Sequence, residues 1–85
     1  MNICVVSTFD GTTDDYLSMI NATKEKAADF FTDYDIGVIR EGKIALLIHI
    51  TDMQSFQELM TSEEMQAWNT KFNCLDEVYS LEKVN

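Results

Sequence analysis

The stretch KIALLIHITD, residues 43–52, carries apolar side chains in both phases of a period-two pattern. Read as a strand, it sends Ile44, Leu46, Ile48 and Ile50 to one side and Ala45, Leu47, His49 and Thr51 to the other. The segment NICVVSTF, residues 2–9, repeats the feature, with Ile3, Val5 and Phe9 opposed to Cys4 and Val6. An antiparallel sheet with one wet face alternates apolar and polar residues. These two segments do not, so the sheet they build needs cover on both faces.

The rest of the chain supplies cover for one face. After DGTTDD, a turn with several N-cap candidates, the apolar residues from Asp14 to about Phe31 follow a helical period. Leu17, Ile20, Ala27 and Phe31 share a stripe flanked by Tyr16, Ala28 and Phe30, and TDYD, residues 32–35, breaks the pattern. IGVIREGKIALLIHI reads as two strands joined at Glu41-Gly42. Asp52 caps a further helix whose apolar side is Met53, Phe56, Leu59 and Met60. Thr61 and Glu64 fit a capping box, so the helix restarts there, with Met65, Trp68 and Phe72 recurring at spacings of three and four. CLDEVYSLEKV closes the chain as a last strand whose inward face the pattern leaves open.

The order is strand, helix, strand, strand, helix, strand over residues 1–85, read as one domain. Two right-handed crossover halves interleave into a four-stranded antiparallel sheet with both helices on one face, an α+β, ferredoxin-like βαββαβ arrangement. The second apolar face then predicts a homodimer, sheet stacked on sheet. A chain of 85 residues buries only ~60–65% of its unfolded surface, so a second copy also supplies stability that the small core lacks.

Composition excludes several function classes. Fifteen acids against six bases give a formal charge of −9, which opposes binding to nucleic acid or to an anionic membrane surface. The longest apolar run, Ile44–Ile50, is too short to span a bilayer. Met1 leads directly into NICVV without a basic region or cleavage-like site, so a cytoplasmic location is expected, with Cys4 and Cys74 as reduced, buried thiols. One histidine and two distant cysteines show no zinc spacing, and three isolated glycines build no phosphate loop. No metal and no cofactor is expected.

The element order, the length, the doubly apolar sheet and the passage HITDMQSFQELMTSEEMQAW resemble the dimeric α/β-barrel superfamily, which includes antibiotic-biosynthesis monooxygenase-like domains. The resemblance spans nearly the whole chain and its motifs are structural. It implies a small-molecule pocket between sheet and helices. Its members include cofactor-free oxygenases, isomerases and haem-degrading enzymes, the last marked by an Asn, a Trp and a helical iron-ligating His. This chain has Trp68 beside Asn69 but no helical histidine, and no catalytic role is carried over.

His49, the sole histidine, has three readings: a core residue donating to an oxygen, a polar contact in a pocket, or a general base. The candidate ligand site combines His49, Tyr16 and Arg40 as polar groups with Trp68, Met60, Phe56 and Leu47 as apolar wall; Asn69 could add a further polar group. Arg40 is the candidate partner for a carboxylate head group. Flexible methionines suit an adaptable apolar cavity. The leading expectation is a dimeric protein that binds an apolar, fatty-acid-like or aromatic small molecule. The rivals are a cofactor-independent monooxygenase or isomerase with His49 as base, and a structural or regulatory dimer without a ligand.

Overall fold

The computed structural model describes residues 2–31 and 33–84. Among these, the elements run β1 (Ile3–Thr8), α1 (Thr13–Lys26), β2 (Asp33–Arg40), β3 (Lys43–His49), α2 (Met53–Met60), α3 (Glu63–Lys71) and β4 (Leu75–Ser80). The strands form one sheet in the order β2-β3-β1-β4, and every neighbouring pair is antiparallel. β1 and β3, the two doubly apolar segments, hold the centre. Each half of the chain crosses over the sheet, β1–α1–β2 around β3 and β3–α2–α3–β4 around β1, giving the ferredoxin-like arrangement.

Strand alternation sets the two faces. Ile3, Val5 and Ser7 of β1 and Ile44, Leu46 and Ile48 of β3 are buried under the helices. Cys4, Val6, Ala45 and Leu47 point the other way and are half-buried only by their in-sheet neighbours. Leu75 and Tyr79 extend that second face on β4 and stand 73% and 49% exposed. His49 lies on the same face at the end of β3, paired across the ladder with Asp33, and is exposed. It is not a core histidine.

The helices start where the sequence provides caps. Thr12 and Asp15 form a reciprocal capping box for α1, and Asp52 accepts from the Ser55 amide at 3.1 Å to open α2. The restart falls one residue later than the Thr61–Glu64 pattern suggests. Ser62 is the N-cap of α3, accepting from the Met65 amide at 3.3 Å, while the Thr61 hydroxyl donates back to the Gln57 carbonyl at 2.9 Å. Thr61 is thus used up in closing α2.

Three further expectations shift. α1 ends at Lys26 rather than near Phe31, because Asp29-Phe30-Phe31 is a poor helix continuation and Phe31 turns in to pack on Tyr34, with ring centroids 5.1 Å apart. The buried side of α1 is Tyr16, Ile20 and Thr23, with Leu17 left outside. Thr23 is tolerated inside because its hydroxyl donates to the Met19 carbonyl at 2.9 Å. β2 also begins at Asp33, earlier than expected, since pairing with His49 extends the ladder through TDYD. Thr32 itself lies outside the described residues.

The β2–β3 turn depends on Gly42, whose φ is +83° and whose added Cβ would stand 2.7 Å from the Phe9 carbonyl oxygen. The Phe9 amide donates to the Gly42 carbonyl at 2.9 Å, tying the hairpin to the end of β1. Gly42→Ala is expected to cost about 1–3 kcal/mol, read as a lower urea midpoint. Gly37→Ala, where the nearest atom to a Cβ is 3.9 Å away, should change the midpoint little or raise it.

Candidate functional site

Between the helix-side face of the sheet and the three helices lies a cavity of ≈ 30 Å³. Its apolar wall comes from β1 and β3 (Val5, Leu46), α1 (Met19, Ile20) and α2 (Phe56, Met60), closed by Trp68 of α3. A second chamber of ≈ 150 Å³ adjoins it between α1 and α3 and shares Met19, Thr23, Leu59, Met65 and Trp68 with it. At the outer chamber's rim Lys26 of α1 pairs with Glu64 of α3. Both side chains are exposed, so this ion pair contributes little to stability.

One end of the inner cavity is polar. Ser7 follows the inward phase of β1, and the ladder places it opposite Asp76 of β4. The Ser7 hydroxyl donates to Asp76 Oδ1 at 2.6 Å, and the Cys74 thiol reaches the same oxygen at 3.4 Å. Asn69, at the end of α3, is held beside them because the Cys74 amide donates to the Asn69 carbonyl at 2.8 Å. The side-chain oxygen of Asn69 is buried and has no hydrogen-bond partner among the described residues. Buried polar atoms are nearly always paired, so an unmet acceptor on a cavity wall is a place for a ligand atom or a water.

Tyr16 completes this end. Burial pushes its hydroxyl up to about 12, an effect the neighbouring Ser7 hydroxyl opposes and the Asp76 charge adds to. Burial and the adjacent Asp76 also push the Cys74 thiol up to about 12. Both groups therefore hold their protons at neutral pH. Cys74 is a thiol there and not a thiolate nucleophile.

Of the residues singled out in the sequence, Tyr16, Phe56, Met60 and Trp68 meet around the cavity, as does Asn69. Leu47, His49 and Arg40 do not. Leu47 and His49 have the opposite strand parity to Leu46 and Ile48 and face out from the other side. Arg40 is exposed beside the hairpin and donates to the Glu41 carbonyl at 3.1 Å. Ser7, Cys74 and Asp76 join the site without having been expected there. Ser7 was legible in the Ile3-Val5-Ser7 alternation, whereas Asp76 needed the register of β4.

The shifts at Tyr16 and Cys74 make stability depend on alkaline pH. Both groups hold protons more tightly in the folded chain than at their ordinary values of 10.0 and 9.0. The unfolded chain therefore loses protons first, and stability present below pH about 9 declines as pH rises toward about 12. Urea midpoints measured across this range should fall with pH. Cys74→Ala should flatten the early part of the decline and Tyr16→Phe the later part.

No protein-family model matches the sequence, and no curated protein matches it. The fold, in contrast, has clear structural neighbours. A crystal structure of an antibiotic biosynthesis monooxygenase superposes with a TM-score of 0.64 at 13% identity, covering 100% of both chains. SnoaB, a cofactor-independent oxygenase from Streptomyces nogalater, gives a TM-score of 0.63 at 11% identity, covering 98% of this chain and 93% of its own. Rv0793 from Mycobacterium tuberculosis gives 0.56 at 15% identity over 100% of both chains. Such identities establish architecture and leave the chemistry to the side chains of the cavity. The chain has the ferredoxin-like α+β fold of the antibiotic biosynthesis monooxygenase structures.

Proposed function

We propose that this chain is a homodimeric binding domain for a small, largely apolar molecule held between the sheet and the helices. The observation that carries this reading is the two-chambered cavity whose inner polar end keeps a buried, unpartnered Asn69 oxygen. A core built only for stability closes such an acceptor. The inner chamber alone admits a water molecule, since one needs ≳ 10–15 Å³. The outer chamber of ≈ 150 Å³ matches the volume that accepts a benzene ring. Met19 and Met65 stand between the two chambers, and their flexible side chains allow them to merge.

This geometry favours a ring-sized or short-chain compound over a long fatty acid. It also removes the expected carboxylate partner, because Arg40 is remote and no basic side chain lines the inner cavity. Homodimerisation rests on the open face, where Val6, Leu47, Leu75 and Tyr79 form an apolar surface around the sheet centre. Two unbridged cysteines on opposite faces of the sheet fit a reducing, cytoplasmic setting.

A second reading, oxygenation of the bound compound, is favoured by one observation: a carboxyl group, Asp76, lines the cavity. Asp76 rather than His49 would then take the proton from substrate carbon. Oxygen uptake that vanishes in Asp76→Asn but survives in His49→Ala supports it.

Titration calorimetry with toluene and cyclohexanol tests the binding reading. Binding to the wild-type protein with perturbation of Met19, Met65 and Trp68 signals in NMR spectra supports it; no binding by either probe or by an ammonium compound of similar size overturns it. Sedimentation velocity should give twice the 9.7 kDa chain mass. Leu47→Glu, which buries a charge in the interface, should weaken the dimer at least about tenfold.

A further inference from the structure

The polar end of the cavity has an imbalance of charge and of hydrogen-bond donors. Asp76 Oδ1 is served by two neutral donors, the Ser7 hydroxyl and the Cys74 thiol. Its second oxygen takes no hydrogen bond from any described residue, and no lysine, arginine or histidine lines the cavity. Among the described residues the one ion pair is Lys26 with Glu64, so the single cation of the outer chamber is already engaged. Nearby, Asn69 Oδ1 is a second acceptor without a donor. Asp76 is half-buried, and where its carboxyl group lines the cavity it has no counter-charge among the described residues.

We infer that the cavity selects a protonated amine: a short alkyl or single-ring ammonium compound whose head group lies between Asp76 and Asn69. The inference rests on the binding reading above and adds the chemical class of the ligand. A primary ammonium brings a positive charge and three N–H donors. Asp76 takes the charge and one donor, Asn69 Oδ1 takes the second, and the Tyr16 hydroxyl, on the same cavity wall beside Ser7, takes the third. The apolar body extends past Met19 and Met65 into the outer chamber, against the indole of Trp68. Tyr16 and Trp68 also line the cavity, and an aromatic ring near the head group adds attraction for a cation. The field of a chain with net charge −9 raises the local concentration of cations and depletes anions. A carboxylate of the same shape meets like charge at Asp76 and no donor set. A neutral alcohol satisfies one acceptor and leaves the charge unmatched.

The experiment compares hexylammonium, 1-hexanol and hexanoate on the wild-type protein at pH 7 and about 0.15 M salt. Affinities are read by calorimetry and by the fluorescence of Trp68. Hexylammonium is expected to bind at least about tenfold more tightly than hexanol, with hexanoate weakest. Asp76→Asn should remove that preference, weakening hexylammonium at least about tenfold while leaving hexanol within about twofold. Asn69→Asp should tighten hexylammonium, and this decides the matter if Asp76→Asn fails to fold. Asp14→Asn, on the exposed start of α1, should leave all three affinities unchanged. Equal losses in Asp14→Asn and Asp76→Asn would mean surface association and overturn the inference. Hexanol binding as well as hexylammonium, or hexanoate binding best, would also overturn the amine assignment while leaving the cavity as a binding site. If neither hexylammonium nor hexanol binds, both readings fall together.

Discussion

The structure depends on a pair of central strands that are apolar on both sides. β1 and β3 are adjacent, and their in-register pairing from Ile3↔Ile48 to Thr8↔Lys43 presents two apolar surfaces from one layer. A one-residue slip would exchange those surfaces without exposing a polar row, so hydrophobic pattern alone does not choose between them. Other features make the choice. The Gly42 turn and its link to Phe9 fix the β2–β3 end, and the hydrogen bonds of Asn2 to the Ile50 backbone, both 2.8 Å, fix the other. Once the register is set, the branched residues Ile3, Val5, Ile44 and Ile48 meet the helices. The smaller and mixed residues Cys4, Val6, Ala45 and Leu47 take the open side. The pocket and the proposed dimer surface are thus two consequences of one alternation.

That alternation explains what the sequence made legible. The parity of β3, the Glu41-Gly42 hairpin and the Asp52 cap each rest on local chemistry with few alternatives, and each stands where the sequence puts it. The rotation of α1 was harder. Leu17 is the more apolar residue, yet Thr23 is inside, because a threonine that bonds its own helix backbone presents little unpaired polarity to the core. β4 was harder still. Its phases are Cys74, Asp76, Val78 against Leu75, Glu77, Tyr79, and the latter set carries the larger apolar side chains. It faces outward all the same, because the β1–β4 register sets Leu75, Glu77 and Tyr79 beside Thr8, Val6 and Cys4 on the open side. The same feature made His49 misleading. Its flanking isoleucines suggest the interior, but they belong to the opposite phase, and the imidazole stands outside with Asp33 across the ladder.

The polar end of the cavity could be explained as an inter-strand tie, with Ser7 and Asp76 holding β4 to β1. Part of the geometry fits that view: the Ser7–Asp76 bond is short, well placed and internal to the ladder. The rest does not. A valine at residue 7 facing an apolar partner would pack against its ladder neighbour Ile44 and Tyr16 without desolvating any charge, and replacing buried polar pairs by apolar ones is commonly neutral or favourable. The tie also uses only one oxygen of Asp76 and none of the Asn69 side chain. A stabilising network closes on itself, because a half-satisfied one is worse than an apolar core. This network is closed toward the sheet, through Ser7 and Cys74, and unfinished toward the void. Its unmet acceptor lies on the cavity wall, a feature that the proposed binding role uses and an inter-strand tie leaves unexplained.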